Sequence, residues 1–348
     1  MPVLTLIRTA PEFPPGSMPA YAKLVQKALA NIEGFEVRVC DFYDPAGGGS
    51  MRRHHLWRLR HAQSFFHQHL SDLYHLLDGS MAGFLPSKVW EKTVVTVHDL
   101  IPLLQLHGRL PGSPGLAGRL LIRRGVHVLR QVAGIASVSE YTARDLLEWT
   151  RRSDVTVIHN PVRPLPAPDT LADLPPRYLL HVGNNADYKN RAGVLDVFSR
   201  LQDIPDLHLI MAGPDPSTEI LKKALSLKRV RFLRNVTDAE LSLLYQKASV
   251  FLFPSLYEGF GFPVLEAMRE GCPVVCSNAA SLPEVVGNAA RIAPPGDIVA
   301  LADHCRVLLD ESSLRDEQIQ RGYQRVKCFS EEQLSASLKD WYLKISGI

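Results

Sequence analysis

The chain has 348 residues, 46% of them hydrophobic and 22% charged, which excludes a disordered, collagen-like or coiled-coil chain and fits about two domains. The net charge of +3 is unevenly spread: residues 1–165 carry 19 Lys+Arg against 13 Asp+Glu and ten of the 13 histidines, and the remainder carries 20 against 23. One half is therefore suited to meeting something anionic and the other is not.

The chain opens on Met1-Pro-Val-Leu-Thr-Leu-Ile7, which lacks the basic start and small-residue cleavage site of an export signal and reads as a first strand, Val3 to Arg8. The loop after it, Thr9 to Met18, contains Gly16. Further N-terminal strands are expected at Glu36 to Cys40, Thr93 to Val97, Gly134 to Val138 and Val155 to Ile158. Six histidines lie between His54 and His75 without interleaved Cys or Asp at zinc spacing, so the segment reads as a cationic helical face. Arg52, Arg53, Arg58 and Arg60 supply its charge, together with Trp57, Phe65 and Phe66. His98 and Asp99 follow the Thr93 strand directly, at the end where ligands of open α/β sheets bind. Ser139 is placed to cap a helix after the Gly134 strand.

A proline-rich seam follows: Asn160 to Pro176 holds six prolines in 17 residues and marks a domain boundary. Beyond it, strands are expected at Tyr178 to Val182, Leu207 to Ala212, Val230 to Leu233, Val250 to Phe253 and Pro273 to Ser277, with helices such as Ala192 to Leu201 and Asp238 to Lys247 between them. Strands alternating with helices on both sides of the seam predict two doubly wound parallel α/β domains facing across a cleft. The expected divisions are residues 1–165, residues 166–330, and a terminal helix over 331–348 packing back toward the first domain. Its Leu334, Leu338, Trp341, Tyr342 and Ile345 share one side. Cys272 and Cys276 point into the core; with Cys40, Cys305 and Cys328 they read as reduced thiols, and the protein as cytoplasmic.

Two loops of the second domain carry chemistry. In His181-Val-Gly-Asn-Asn-Ala-Asp-Tyr-Lys-Asn-Arg191, Gly183 and Lys189 follow a strand, where a lysine can neutralise a diphosphate as a point charge. In Phe251-Leu-Phe-Pro-Ser-Leu-Tyr-Glu-Gly-Phe-Gly-Phe-Pro-Val-Leu-Glu266, a buried strand gives way to a glycine loop and then a helix. Proline suits the first helical turn, glycine lets the backbone approach a ligand, and the N–H groups around Gly261, Phe262 and Val264 are ready for a phosphate.

This string, with its Glu258-x7-Glu266 element, resembles the retaining glycosyltransferases of family 4, which have the GT-B fold. Ser277-Asn-Ala-Ala-Ser-Leu-Pro-Glu-Val285 and Val230 to Leu241 are similar to the same family. The resemblance implies that Glu266 binds the donor ribose and that Glu258 lies beside the transferred sugar. It implies that His98 contacts that sugar and acts with Glu258 in catalysis, and that Gly16, Asp99, Gly183, Lys189, Val236, Phe260, Gly261 and Phe262 serve the donor. Where relatives carry Arg-Lys-Asn this chain has Tyr188-Lys189-Asn190, so Arg191 replaces the missing arginine only if the backbone turns it inward.

Asp-x-Asp occurs nowhere in the chain, so no metal is expected and the departing diphosphate would be met by Lys189 and helix amides. The expected partners are a nucleotide diphosphate sugar and a glycan or lipid-linked acceptor, with no nucleic acid. Likeness to bacterial mannosyltransferases of surface-polysaccharide pathways favours GDP-mannose. The basic segments Arg52 to His75 and Arg109 to Arg130 suit peripheral contact with the anionic cytoplasmic face of an inner membrane. The rival readings are a GT-B nucleotide-sugar epimerase and a non-catalytic nucleotide-binding descendant; a Rossmann dehydrogenase lacks its Gly-x-Gly-x-x-Gly.

Overall fold

The computed structural model describes residues 1–11, 17–30, 32–46, 48, 50–171 and 173–347. They form two compact units, one of Met1–Pro161 with Ser330–Ile348 and one of Val162–Phe329, so the seam falls at Pro161 rather than at 165.

The first unit runs β1 (Val3–Arg8), α1 (Ser17–Ala28), β2 (Glu36–Asp41), α2 (Met51–Gln68), β3 (Leu73–Leu76), β4 (Thr93–Val97), α3 (Ile101–Leu106), α4 (Leu116–Leu129), β5 (Gly134–Ser137), α5 (Glu140–Thr150) and β6 (Val155–Val157). Its six strands are all parallel, in the order β2-β1-β3-β4-β5-β6. Parallel strands buried on both faces must be apolar nearly throughout, and Leu4, Leu6, Ile7, Val94, Val95 and Ile135 are all fully buried. Ser139 caps α5 by accepting the Thr142 N–H.

The second unit runs β7 (Tyr178–Val182), α6 (Arg191–Ser199), β8 (His208–Ala212), α7 (Thr218–Ala224), β9 (Val230–Leu233), α8 (Asp238–Lys247), β10 (Val250–Phe253), α9 (Phe262–Arg269), β11 (Val274–Ser277), α10 (Leu282–Val286), β12 (Arg291–Ala293), α11 (Ile298–Asp310) and α12 (Ser312–Val326). Its parallel sheet has the order β12-β11-β10-β7-β8-β9. The last helix, α13 (Glu331–Ser346), belongs to the first unit and buries Leu334, Leu338, Trp341 and Tyr342 against Leu4, Leu6 and Tyr21.

The two strands that sequence patterning missed have different causes. β3 is only Leu73-Tyr-His-Leu76, and its histidine argues against a core strand. His75 is nonetheless fully buried, because Tyr342 and Thr96 supply hydroxyls to its Nδ1 and Nε2 at 2.6 and 2.7 Å. β12 is three residues at the sheet edge, with Ile292 exposed.

Strand order positions the functional loops. In the second unit the order reverses between β7 and β10, which pair directly through Val250 with Leu179 and Phe251 with Leu180. Ligands of open α/β sheets bind beyond the strand ends at such a reversal. The loops leaving β7 and β10 carry Lys189 and Glu258.

Candidate functional site

Lys189 closes a single 3-10 turn, Asp187–Lys189, after β7. The next residue, Asn190, adopts φ 52° and its side chain accepts the Gly193 N–H at the start of α6. The Asn190 Nδ2 donates to the Pro254 carbonyl at 2.9 Å, and the Leu256 N–H donates to the Tyr188 carbonyl at 2.7 Å. These two bonds lace the β7 loop to the β10 loop. Lys189 Nζ then reaches both carboxylate oxygens of Glu258, at 2.8 and 2.9 Å, and lies over the Phe253 ring. Both partners are mostly buried, so desolvation and attraction oppose each other, and each charge depends on the other.

Ser281, which sequence reasoning passed over, shapes the glycine loop. Its fully buried hydroxyl lies 2.9 Å from the Glu258 carbonyl and 2.8 Å from the Phe260 carbonyl. Phe260 is itself a core side chain, packed edge-on against Phe262 and Phe329. Gly261 begins α9 at φ 111°, and a Cβ there would lie 2.8 Å from Leu282 Cδ2, so glycine is required on both counts. Phe262 and Pro263 start the helix; the Val264 N–H is already taken by the Gly261 carbonyl, which removes it from the anion-binding set expected from sequence.

Glu266 lies one turn further along α9, with only 5% of its surface exposed. Tyr245 of α8 donates to its Oε2 at 3.2 Å, and Arg163, just past the seam, donates through Nε to its Oε1 at 3.1 Å. Burial raises the Glu266 pKa, while Arg163 and the two hydrogen bonds oppose the rise. Arg163 also donates to Asp238 at 2.8 Å. Sequence reading missed Arg163, since nothing in a proline-rich stretch marks one arginine out.

Arg191 does turn inward, and is buried. Its Nη1 donates to Asn185 Oδ1 and to the Pro214 carbonyl, and its guanidinium lies over Phe232. Gly183 closes β7 with its N–H on the Ala212 carbonyl, and a Cβ there would lie 2.9 Å from His181 Nε2. Val236 is half-buried between β9 and the Thr237–Glu240 capping box that starts α8.

In the first unit His98 follows β4. Its Nε2 lies 2.9 Å from the Leu77 carbonyl, and its ring stands edge-on to Tyr21. A carbonyl only accepts, so Nε2 carries the proton and Nδ1 of the neutral ring is an acceptor. Burial lowers the His98 pKa, against Asp78. Asp99 Oδ1 accepts the Ile101 N–H at the start of α3. Gly16 lies outside the described residues.

The cationic face expected along α2 needs correction. Arg58 is 1% exposed and donates to the Phe42 carbonyl at 2.7 Å and to the Thr9 carbonyl, so it is a core residue. Phe65 and Phe66 are buried with it. In the second basic segment Arg124 remains exposed while donating to the Gly83 and Leu85 carbonyls. Among the described residues, no cluster of His, Cys, Asp and Glu is arranged to hold a metal ion, and no helix is long and apolar enough to cross a membrane.

Comparison with known proteins agrees with this architecture. Residues 167–325 match the family described as "Glycosyl transferases group 1", and residues 21–164 match "Glycosyltransferase Family 4". The chain belongs to these glycosyltransferases. Over 162 residues it is 38% identical to the O-antigen chain mannosyltransferase B of Escherichia coli, a stretch covering 44% of this chain and 42% of that protein. Over 252 residues it is 30% identical to the serotype-specific mannosyltransferase WbdA of Escherichia coli, covering 66% of this chain and 30% of that protein. The matched stretch is thus less than half the length of either relative. A solved sucrose-phosphate synthase from Thermosynechococcus elongatus superposes with a TM-score of 0.79 at 18% identity, over 100% of both chains. The fold is GT-B.

Proposed function

We propose that the chain is a retaining hexosyltransferase that moves mannose from GDP-mannose to a glycan or lipid-linked acceptor in surface polysaccharide or lipopolysaccharide synthesis. The Lys189–Glu258 pair at the strand-order reversal of the second unit carries this reading, because it sets a cation and a carboxylate where a nucleotide ligand of such a sheet would lie. The mannosyltransferase relatives support the choice of sugar.

In this reading Glu266 takes the donor ribose, Val236 lies by the base, and Gly183, Lys189, Gly261 and Phe262 serve the diphosphate. Phe260 supports that loop from the core. Incoming diphosphate competes with Glu258 for the Lys189 ammonium, which frees the carboxylate to face the sugar. Negative charge developing on the departing diphosphate is then met by Lys189 and the first amides of α9, without a metal bridge. The acceptor hydroxyl oxygen bonds to the anomeric carbon on the face that the phosphate leaves, and its proton passes to the leaving phosphate oxygen. His98 serves the transferred sugar through its accepting Nδ1, and Gly16 and Asp99 are assigned to the donor on the family resemblance alone.

Thermal stability against GDP, UDP, ADP and dTDP without metal tests the donor assignment. A ligand at 100 times its dissociation constant adds about 2.7 kcal/mol, a shift of several degrees. A shift with GDP is expected. A shift with UDP alone would change the donor, and none with any nucleotide would overturn the reading.

A further inference from the structure

We propose that Arg163 is the positioning residue for Glu266: it holds the buried carboxylate ionised and aimed, and so sets the affinity for the nucleoside part of the donor. The inference rests on the reading that Glu266 meets the ribose.

Three contacts carry it. Arg163 Nε donates to Glu266 Oε1, Tyr245 OH donates to Oε2, and Arg163 Nη1 donates to Asp238. The guanidinium is thereby held at two ends, by the buried Glu266 and by the more exposed Asp238. A carboxylate oxygen accepts more than one hydrogen bond, so both oxygens retain capacity for ribose hydroxyls. The side chain of Glu266 is 6% exposed, and a buried carboxylate without a cation takes up a proton rather than remain charged. A protonated carboxyl has one oxygen that must donate, which is the wrong complement to a hydroxyl seeking an acceptor.

The groups around Glu266 leave that duty to Arg163. From α8 come Tyr245, whose phenol burial keeps protonated, and Asp238, whose charge opposes ionisation. β10 brings apolar Phe251, edge-on to Tyr245, and the nearby Cys272 thiol is kept protonated by burial. α12 sets Gly322 against Met268, and α10 sets Leu282 near Gly261. Burial alone would lower the Arg163 pKa, but Glu266 and Asp238 outweigh it and raise it, so the guanidinium is charged at every working pH.

The test is calorimetric titration of the full chain with GDP and with UDP between pH 5.5 and 9, comparing wild type with Arg163→Gln, Arg163→Lys and Glu266→Gln. Melting temperatures without ligand establish that each variant is folded. Arg163→Gln is expected to weaken nucleotide binding about tenfold or more at pH 6 and far less at pH 9, against a flat wild-type profile. It should raise the donor KM with little change in kcat. Arg163→Lys keeps the charge but loses the two-ended grip, and is expected to remove most of the pH dependence while restoring only part of the affinity. Infrared difference spectra against Glu266→Gln should show a protonated carboxyl band at neutral pH in Arg163→Gln and not in wild type. Binding of Arg163→Gln equal to wild type at every pH, with Glu266→Gln weakened, would overturn the proposal alone. Wild-type affinity in Glu266→Gln would overturn the ribose reading beneath it.

Discussion

Lys189 Nζ lies 2.8 and 2.9 Å from the two carboxylate oxygens of Glu258, although 69 residues separate them in sequence. The pairing exists because β7 and β10 are neighbours in the sheet and their loops are laced by Asn190 and Leu256. Without ligand the two charges cancel; with a diphosphate present, the lysine has a second anion to serve.

Substituting Glu258 therefore separates binding from turnover. Glu258→Gln removes the competitor for Lys189, so GDP affinity should hold or improve while transfer falls by at least about a hundredfold. Titration of GDP beside a transfer assay checks this, and equal losses in both would remove Glu258 from the chemistry. Lys189→Met should instead destabilise the fold by about 3 kcal/mol, since it strands a buried carboxylate. The double variant should recover part of that loss, measurable as a coupling in denaturant unfolding.

The strand–loop–helix from Phe251 to Glu266 was legible because each step has its own local chemistry: an apolar run, then glycines, then proline at a first turn. The Lys189–Glu258 pair was not, because it depends on strand order and no spacing encodes that. Arg58 was misread for a related reason. Arg52, Arg53 and Arg60 do face outward, but Arg58 sits one turn after the buried His54 and points inward to two backbone carbonyls. Ser281 and Arg163 act through hydrogen bonds to residues distant in sequence, which periodicity does not report.

Gly261 offers a direct check on the loop. Its φ of 111° and the nearness of the Leu282 side chain mean that Gly261→Ala must strain the backbone and displace that side chain. The expected cost is at least about 1 kcal/mol of stability. Nucleotide binding should weaken at the same time, because the first amides of α9 move. Thermal melts with and without GDP read both effects, and a wild-type nucleotide shift in the variant would detach Gly261 from the donor site.

Two buried histidines make the protein acid-sensitive. His75, held by Tyr342 and Thr96, and His181, whose Nδ1 donates to the Leu252 carbonyl, both have pKa values pushed by burial down to about 3. Above about pH 6.5 folded and unfolded chains alike carry them neutral. As pH falls from there toward 3, the unfolded chain binds protons that the folded chain refuses, so stability is lost on the acid side. Each histidine should shift the folding equilibrium about tenfold per pH unit. Urea midpoints at pH 7, 6 and 5 should fall accordingly, and His75→Gln should flatten the slope in the first unit. An unchanged slope in that variant would mean that another group titrates.

The basic helices of the first unit separate two kinds of arginine, and a membrane assay tells them apart. α2 and α4 both pack on the 3-10 stretch Gly79–Phe84, through His55 on the Phe84 ring and Arg124 on the Gly83 carbonyl. They expose Leu59 of α2 and Leu116 and Leu120 of α4, the last two 81% and 69% exposed, beside Arg52, Arg60, Arg119 and Arg123. Exposed apolar and arginine side chains on the same helices suit an anionic bilayer surface, where each well-placed cation contributes about 1 kcal/mol. Replacing Arg52, Arg60 and Arg123 together by Gln should then lower partitioning onto phosphatidylglycerol-containing vesicles by up to about a hundredfold. Arg58→Met should leave partitioning of the folded protein unchanged and lower its stability instead, because two carbonyls lose their donor. Equal partitioning onto neutral and anionic vesicles by the unaltered chain would leave these helices as a solvated basic face.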